Sequence, residues 1–362
     1  MTGEPLRVLV IGDPYFSASD FGRAMGTLAD IAELSYLQID TTEVAPPSTE
    51  SERSLREYAG VPSEIAAAAT GFDVLVVHGA AVSAQAFEAT DLRLVCCARG
   101  GPVNVDVAAA TAAGVPVCNT PGKNAEAVAE LTIAFALMLI RGVGPSTREL
   151  AAGRGPSASV FDGRRFFGLE AASLTLGLVG FGHVGRHVAR RARQLGFRVL
   201  AHDPYAGADE LDDVPLVALD ELLERSDIVS LHARATADNR QMMDATQFAR
   251  MRSGSYFINT AREQLVDEVA LLAALESGAL LGAALDVIER LPDGSRNALL
   301  DQPSVVVTPH IGGATHETLA RGAAMAVLAI RAFAAGEDPP FVVNPAALQR
   351  ETIPLPSAQG HA

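Results

Sequence analysis

Three glycines near the middle of the chain have the spacing of a turn that holds the pyrophosphate of a dinucleotide. The segment with Gly180, Gly182 and Gly185 follows a short apolar run and precedes a stretch of helical length. The first glycine permits a tight turn, the second lets the backbone approach a phosphate, and the third lets the helix pack closely on a sheet. His183 and Val184 lie in the first helical turn, whose positive end faces the phosphates. The sequence therefore predicts a dinucleotide site at this turn.

The acidic residue Asp203 indicates which dinucleotide the turn would bind. It follows the apolar run 198–201, where a second strand would end. A carboxylate at this point accepts hydrogen bonds from the adenosine ribose hydroxyls and repels a 2′-phosphate. The sequence therefore predicts NAD rather than NADP. A glycine-rich turn with a surface aspartate is the alternative, but strand, helix and acidic residue all occur in the expected order.

Alternating apolar and helical segments would position these residues. A chain of 362 residues exceeds the usual size of one hydrophobic core, so we expect two domains. Both parts of the chain alternate short apolar runs with stretches of helical length, which predicts an α/β protein with two doubly wound parallel-sheet domains. The predicted strands are 6–11, 73–78, 92–98 and 115–118 in the first part, and 174–179, 198–201, 228–232, 256–259, 281–287 and 305–308 in the second.

Charge and composition exclude several kinds of partner. The formal net charge is -15 and no basic cluster occurs, which argues against nucleic acid and anionic membranes. The apolar stretch 125–140 contains two glutamates, is too short to span a bilayer, and predicts a core helix. Cys96, Cys97 and Cys118 have no zinc-type spacing, so we expect reduced, buried thiols and no metal site. With no export signal visible, a cytoplasmic protein is expected.

Three further motifs accompany the glycine turn: Asn-Thr-Ala-Arg at 259–262, Ala-Leu-Asp-Val at 284–287, and Thr-Pro-His-Ile-Gly-Gly at 308–313. In this order and spacing they resemble the D-isomer-specific 2-hydroxyacid dehydrogenases, and the resemblance covers about residues 6–345. It implies a Rossmann NAD-binding domain, 119–311, inserted into a flavodoxin-like substrate domain, 1–118 and 312–346. A flexible tail, 347–362, and a homodimer are also expected.

The resemblance assigns roles that suit the chemistry of each side chain. Arg262 would bind the substrate carboxylate and polarise the carbonyl, a task for a planar, bidentate, permanently charged donor. His310 would exchange the hydroxyl proton as hydride passes to or from the nicotinamide. Asp286, Thr260 and His232 would lie at the cofactor, with Asp286 orienting the carboxamide. Each residue alone is more often structural, but their joint occurrence after a dinucleotide turn favours the active site.

The amino-terminal part contains a second glycine-rich turn. Arg99, Gly100 and Gly101 resemble the family's substrate loop, in which backbone amides bind the carboxylate. Arg99 would meet a second anionic group of the substrate or serve a structural purpose, and the sequence leaves both open. Asp106 is expected to cap the Ala-rich helix that follows.

One position departs from the family pattern. The glutamate that pairs with the histidine is replaced by Leu291, so the imidazolium would lose a stabilising charge and hydrogen bond. Glu289 lies two positions earlier and would face the same side of an extended segment, which makes it a candidate replacement. Glu263 stands where the family commonly has glycine, and its charge would either weaken carboxylate binding or disfavour a second negative group on the substrate.

Two classes of function follow. The first is a cytoplasmic NAD-dependent dehydrogenase that oxidises a D-2-hydroxyacid or reduces the matching 2-oxoacid. The second is a catalytically impaired NAD sensor or interaction protein, similar to the corepressors that share this fold. Leu291 favours the second, and retention of Arg262, His310 and Asp286 favours the first. A metal-dependent or NADP enzyme is disfavoured, because no ligand cluster is visible and Asp203 opposes NADP.

Overall fold

The computed structural model describes residues 4–42, 44, 46–153, 167–207, 213–291 and 293–349. Contacts divide the chain into two units. Unit 1 contains the chain up to Lys123 and again from Thr315 onward, and unit 2 is Asn124–Ala314. The sequence placed these boundaries at 118–119 and 311–312.

Unit 1 is built on a parallel sheet with the strand order β2-β1-β3-β4-β5 among the described residues. Its strands are β1 (Leu6–Gly12), β2 (Ala32–Gln38), β3 (Val74–Val77), β4 (Leu94–Cys97) and β5 (Val117–Cys118). Its helices are α1 (Ala18–Met25), α2 (Glu50–Ser54), α3 (Pro62–Ala68), α4 (Ala84–Glu88), α5 (Val107–Ala113) and, late in the chain, α12 (His316–Ala334).

Both faces of this sheet are buried, as expected for a parallel sheet covered by helices. Alternate residues of β1 enter opposite cores: Leu9 and Ile11 pack on one face, and Val8 and Val10 on the other. Asp106 caps α5 by accepting a hydrogen bond from the Ala109 N–H at 2.9 Å, which confirms the predicted cap.

The late segment of the chain completes unit 1. Helix α12 adds Ala323, Ala326 and Ile330 to the core that contains Phe16 and Phe21 of the α1 region. Further on, Asn344 Oδ1 accepts a hydrogen bond from the Val117 N–H at 2.7 Å, and Asn344 Nδ2 donates to the Val115 carbonyl at 3.0 Å. The sequence predicted a flexible tail from residue 347 onward. A 3-10 helix spans Pro345–Gln349 with Ala347 buried, and residues 350–362 lie outside the described residues.

Unit 2 is built on a second parallel sheet, with the order β11-β10-β9-β8-β6-β7 among the described residues. Its strands are β6 (Thr175–Val179), β7 (Arg198–His202), β8 (Ile228–Leu231), β9 (Ser255–Asn259), β10 (Leu280–Leu285) and β11 (Val305–Val307). Its helices are α6 (Ala125–Ile140), α7 (Val143–Ala151), α8 (His183–Gln194), α9 (Leu219–Arg225), α10 (Ala245–Arg250) and α11 (Glu268–Glu276). The prediction of two doubly wound parallel sheets is therefore confirmed.

The three cysteines are free and buried in the core of unit 1, as predicted. In the described part of the chain, no helix alone is long and apolar enough to cross a bilayer. Only α6 and α7 taken together, across a bend of 68°, meet the criteria of length and composition.

Candidate active site

In unit 2, the predicted site residues follow the carboxyl ends of the strands, one strand after another. Because all six strands are parallel, these ends meet at a single edge of the sheet, where doubly wound folds bind ligands. Across the sheet the residues are His310 after β11, Asp286 after β10, Thr260 and Arg262 after β9, His232 after β8, Gly180 after β6, and Asp203 after β7.

Backbone contacts explain two of the glycines in the turn. Gly180 has φ +98°, and a Cβ there would lie 2.5 Å from the backbone nitrogen of Ala233. A Cβ on Gly185 would lie 2.3 Å from the carbonyl oxygen of Gly180. A Cβ on Gly182 would meet no atom within 4 Å. The outer glycines thus let the turn close, while Gly182 faces open space.

The turn leads into helix α8, whose first turn has no side-chain cap. The N–H groups of His183, Val184 and Gly185 are therefore available to an anion, and the dipole of this twelve-residue helix favours negative charge there. The carboxylate of Asp203 accepts a hydrogen bond from the Phe181 N–H at 2.7 Å and from the Tyr205 N–H at 2.9 Å. Asp203 is thereby fixed beside the turn, half-buried at the end of β7.

His232 adds a polar atom that needs a partner. Its ring nitrogen Nε2 lies 3.0 Å from the Ser230 hydroxyl, while the buried Nδ1 has no hydrogen-bond partner among the described residues. Burial lowers the pKa of His232 to about 3, so the ring is neutral at physiological pH. A buried, unpaired nitrogen beside the glycine turn indicates a ligand that supplies a hydrogen bond.

Asp286 fixes the loop that carries His310. Its carboxylate is buried and accepts three hydrogen bonds: from the Thr308 hydroxyl at 2.6 Å, the Ile311 N–H at 2.8 Å and the Gly312 N–H at 2.8 Å. The backbone carbonyl of Asp286 accepts a fourth, from the His310 N–H at 2.9 Å. In the structure Asp286 therefore shapes the residues around His310. The carboxamide contact implied by the resemblance stays a prediction.

His310 itself adopts a left-handed backbone conformation with φ 57°, which is uncommon for residues other than glycine. The loop fixed by Asp286 maintains this conformation. The imidazole is exposed, and it has no hydrogen bond or ion pair with any described residue. Its backbone is thus held while its side chain is open to a ligand.

Arg262 is presented in a similar way at the end of β9. Asn259 is buried, accepts a hydrogen bond from the Ala261 N–H at 2.9 Å, and donates one to the Arg262 carbonyl at 2.9 Å. The exposed guanidinium of Arg262 donates one hydrogen bond, to the Ala261 carbonyl, at 2.7 Å. Thr260 is buried, and its hydroxyl lies 3.0 Å from that of Thr132 in α6. Most donors of Arg262 thus remain available.

The segment after β10 supplies no carboxylate to His310 among the described residues. Leu291 is half-buried. The candidate replacement, Glu289, is exposed, and its N–H donates to Glu268 Oε1 at 2.7 Å. Burial raises the pKa of Glu268, and the nearby charges of Glu289 and Glu263 raise it further, while a hydrogen bond from Asn297 opposes the shift. The carboxylate of Glu289 therefore lies near that of Glu268, and no hydrogen bond or ion pair among the described residues joins it to His310.

In unit 1, the second glycine turn follows β4. The Arg99 guanidinium binds Glu57 through its carboxylate and, at 2.6 Å, through its backbone carbonyl. The N–H groups of Gly100 and Gly101 donate to no described residue, and a Cβ on either glycine would meet nothing within 4 Å. Lys123 is buried and donates to the Ala98 carbonyl just before this turn. The turn thus offers two open amides, whereas Arg99 already has a partner.

Sequence reasoning missed a buried carboxylate and histidine pair in unit 1. Asp13 follows β1, His78 follows the neighbouring β3, and His78 Nδ1 lies 3.0 Å from Asp13 Oδ2. Asp13 also accepts hydrogen bonds from the N–H groups of Tyr15, Phe16 and Gly79. His78 ends the predicted strand 73–78, and Asp13 lies two residues after the predicted strand 6–11. This placement at strand ends of one parallel sheet was the signal that could have revealed them.

No group of three or more His, Cys, Asp or Glu side chains suited to a metal ion occurs among the residues that the structure describes. The residues do fit a dinucleotide. Gly182 leaves space for a close approach, the first turn of α8 has no cap, and the buried Nδ1 of His232 needs a partner. The site of unit 2 is thus built from a phosphate-binding turn and two exposed polar side chains.

A phosphate-binding turn, together with an arginine after β9 and a histidine after β11, defines a nucleotide-dependent oxidoreductase. Residues 133–312 match the family model of the D-isomer specific 2-hydroxyacid dehydrogenase, NAD binding domain. The chain is 38% identical over 267 residues to a glyoxylate reductase of Korarchaeum cryptofilum, covering 73% of this chain and 80% of the relative. The chain therefore belongs to the D-isomer specific 2-hydroxyacid dehydrogenase family, and its cofactor is NAD.

Two further comparisons agree with this assignment. The chain is 39% identical over 250 residues to D-3-phosphoglycerate dehydrogenase 3 of Arabidopsis thaliana, covering 68% of this chain but only 42% of that longer relative. A solved structure from Thermus thermophilus superposes with a TM-score of 0.75 at 31% identity, covering 93% of this chain and 100% of that one. The predictions of family, enzyme class and NAD are confirmed. The alternative of an impaired sensor is not favoured.

Proposed function

We propose that the protein interconverts a small D-2-hydroxyacid and its 2-oxoacid, with His310 as acid and base and Arg262 as the carboxylate-binding residue. The observation that supports this best is the loop of His310. Asp286 holds this loop with four hydrogen bonds, three of them from backbone N–H groups, yet the imidazole has no partner among the described residues. A side chain presented in this way is prepared to exchange a proton with a ligand.

His310 and Arg262 follow strands that are separated only by β10. Two strand separations amount to about 10 Å, so one small molecule can contact both side chains. Arg262 binds the carboxylate through a forked pair of hydrogen bonds and attracts electron density from the adjacent carbonyl. This orients the C2 carbon and makes it a better hydride acceptor.

In the oxidative direction, the neutral imidazole of His310 accepts the proton of the C2 hydroxyl while the C2 hydride leaves. In the reductive direction, the imidazolium returns a proton to the oxygen as hydride arrives at C2. NAD, when bound, supplies the position that accepts or delivers this hydride. The first turn of α8 and Gly182 would hold the pyrophosphate, Asp203 the ribose, and His232 the nicotinamide end.

In unit 1, the open amides of Gly100 and Gly101 are proposed carboxylate donors. Backbone N–H groups on glycines bind an anion at close range because no Cβ intervenes. Arg99 is assigned a structural part instead, since Glu57 neutralises its charge.

Because Leu291 supplies no carboxylate, we expect His310 to depend on substrate and cofactor for the orientation of its ring. Catalysis is then slower, or its pH optimum differs, compared with an enzyme that has the His and Glu pair.

The proposal is tested by following NADH absorbance with a panel of 2-oxoacids, among them glyoxylate, pyruvate and hydroxypyruvate. We expect turnover of at least one, and Arg262→Lys should lower kcat/KM by about 100-fold, since an ammonium cannot form the forked pair. Arg240→Lys, an exposed arginine elsewhere in unit 2, serves as the matched control. NADH binding without turnover of any oxoacid or hydroxyacid would overturn the proposal and favour a sensor.

A homodimer and a cytoplasmic location are also proposed. Unit 2 exposes the apolar side chains of Val143 and Leu150 in α7 and those of Phe167 and Leu169, with Phe167 exposed to 82%. An exposed apolar group of this kind supports contact with a second copy. Light scattering on the purified protein and fractionation of cells that produce it test the two statements.

A further inference from the structure

The Asp13 and His78 pair in unit 1 has a defined protonation state. Burial opposes ionisation of Asp13, but the hydrogen bond and charge of His78 and the N–H groups of Phe16 and Tyr15 outweigh it and lower its pKa. An ionised carboxylate only accepts hydrogen bonds, so the proton between the two residues resides on His78 Nδ1.

The imidazole of His78 is neutral. Burial lowers the pKa of His78, the charges of Lys123 and Arg99 add to this, and the hydrogen bond and charge of Asp13 oppose it without reversing it. With its proton on Nδ1, the neutral ring presents a lone pair at Nε2. His78 is therefore a hydrogen-bond acceptor at that atom, and not a donor.

Contacts of the ring fix the position of the acceptor atom, His78 Nε2, and leave it without a donor among the described residues. The ring stacks on Tyr15 with centroids 5.1 Å apart and an interplanar angle of 11°, and its edge meets Phe16 at 5.7 Å. Nε2 has no hydrogen-bond partner among the described residues, and 13% of the side chain remains exposed. Aromatic contacts and Asp13 together fix the direction of this lone pair.

His78 follows the strand that neighbours the one leading into the second glycine turn. Val77 pairs with Cys97 in neighbouring parallel strands, so His78 and Ala98 lie side by side. Ala98 donates its N–H to the Val77 carbonyl at 2.7 Å, and Gly100 follows two residues later. One strand separation, about 5 Å, is comparable to the length of a three-carbon acid.

We infer that His78 is a specificity-determining residue of unit 1, which accepts a hydrogen bond from a hydroxyl on C3 of the substrate. Asp13 is the positioning residue that sets the tautomer. The inference rests on the proposed function, because it assumes that the substrate carboxylate lies at Gly100 and Gly101.

The chemistry at Nε2 separates three kinds of substituent. A C3 hydroxyl carries a proton to donate and satisfies the lone pair. A methyl group leaves the acceptor desolvated without a partner, which costs free energy. A phosphate ester or carboxylate is ionised at neutral pH and has no proton to donate. Its oxygen lone pairs would repel the lone pair of His78 Nε2. The preferred probe is thus hydroxypyruvate, over pyruvate and over phosphohydroxypyruvate.

The test compares kcat/KM for these three oxoacids and for glyoxylate, which has no C3, in the wild type and in His78→Phe. Phenylalanine keeps the stack on Tyr15 and removes the acceptor. In the wild type we expect kcat/KM for hydroxypyruvate to exceed that for pyruvate by at least about tenfold. In His78→Phe this ratio should fall by about tenfold, which corresponds to the loss of one hydrogen bond. Turnover of glyoxylate should stay within about twofold. His78→Gln, whose amide oxygen can replace Nε2, should restore part of the ratio.

Thermal melting and NADH binding of each variant show whether it is folded. A wild type that prefers pyruvate or the phosphorylated acid overturns the inference, and so does a ratio that His78→Phe leaves unchanged. An equal loss of glyoxylate and hydroxypyruvate turnover in a folded variant assigns His78 a structural part and also overturns it. If glyoxylate is reduced, the proposed function survives each of these results. If no oxoacid or hydroxyacid is turned over, both fail.

Discussion

Two histidines follow strand ends in the two units, and they are held in opposite ways. In unit 1, Asp13 binds the imidazole of His78 at 3.0 Å, and two aromatic rings pack against it. In unit 2, the imidazole of His310 has no such partner among the described residues, while Asp286 holds the backbone around it. One carboxylate therefore fixes a side chain and the other fixes a loop.

This difference indicates different uses. A ring fixed by a carboxylate in one tautomer suits recognition, because its acceptor has one direction. A ring on a fixed loop, free to rotate, suits proton exchange when a ligand supplies the missing orientation. In this chain the pair of a carboxylate and a histidine thus does not include the residue assigned to proton transfer.

Removing the imidazole of unit 2 should have the largest effect. We expect His310→Gln to lower kcat by about 1000-fold, because it eliminates the acid and base, while the Kd of NADH changes by less than about twofold. Stopped-flow reduction of the best oxoacid and fluorescence titration of NADH measure the two quantities. His316→Gln, an exposed histidine at the start of α12, is the control. Activity above one tenth of wild type in His310→Gln would exclude this assignment.

Disturbing the loop without touching the ring should have the next largest effect. In Asp286→Asn an amide N–H₂ replaces one oxygen and opposes the N–H groups that the carboxylate binds, so the loop shifts and the ring is misplaced. We expect kcat to fall by about 100-fold and the melting temperature to decrease. Thr308→Val, which removes a single hydrogen bond to Asp286, should lose less. Equal effects of the two variants would contradict the role of Asp286 in holding the loop of His310.

A carboxylate beside His310, for which the described residues of unit 2 provide none, should make the two histidines more alike. In Leu291→Glu, a new negative charge would stabilise the imidazolium that donates the proton during reduction. We expect the alkaline limb of the pH profile for reduction to move up by about one pH unit. Glu289→Gln is the matched control and should leave the profile unchanged. Among the described residues, Glu289 forms hydrogen bonds through its backbone: its N–H donates to Glu268, and its carbonyl accepts from Asn297. A shifted profile in Glu289→Gln would identify Glu289 as the replacement.

The smallest effect concerns the charge near His78. Burial lowers the pKa of Lys123 from 10.5 to about 8. Between these pH values the unfolded chain binds more protons than the folded one, so the stability contribution of this group rises with pH. Relative to Lys123→Met, we expect wild-type unfolding free energy to gain up to about 1.4 kcal/mol per pH unit between pH 8 and 10. Denaturant titrations across this range measure this gain, and a difference that does not change with pH would exclude a lowered pKa of Lys123 in the folded protein.

The sequence predicted the strands that consist of apolar runs and missed the one strand, β2, that does not. Ten of the strands coincide with apolar runs, because both faces of a parallel sheet are covered. Strand β2 was not predicted. It lies at the edge of its sheet, and most of its residues are exposed or half-buried, so its composition is that of a surface segment.

The same limit applies to the candidate site. Gly180, Asp203, Arg262, Asp286 and His310 were predicted because local motifs contain them. The pair of Asp13 and His78 joins residues that are far apart in sequence and belong to no motif. The partner of Arg99, Glu57, lies in another segment as well. Such contacts depend on which strands are neighbours, and the sequence of a single segment does not contain that information.

The position of Asn344 and helix α12 has a consequence for synthesis on the ribosome. All strands of the sheet in unit 1 emerge early, but the helix that covers one of its faces and the amide that binds the strand at its edge emerge after the whole of unit 2. Until then, Phe16, Phe21 and the neighbouring apolar residues lack their cover. The nascent chain thus carries an incomplete unit 1 while unit 2 can already fold. During this interval the exposed apolar residues of unit 1 would be binding sites for chaperones.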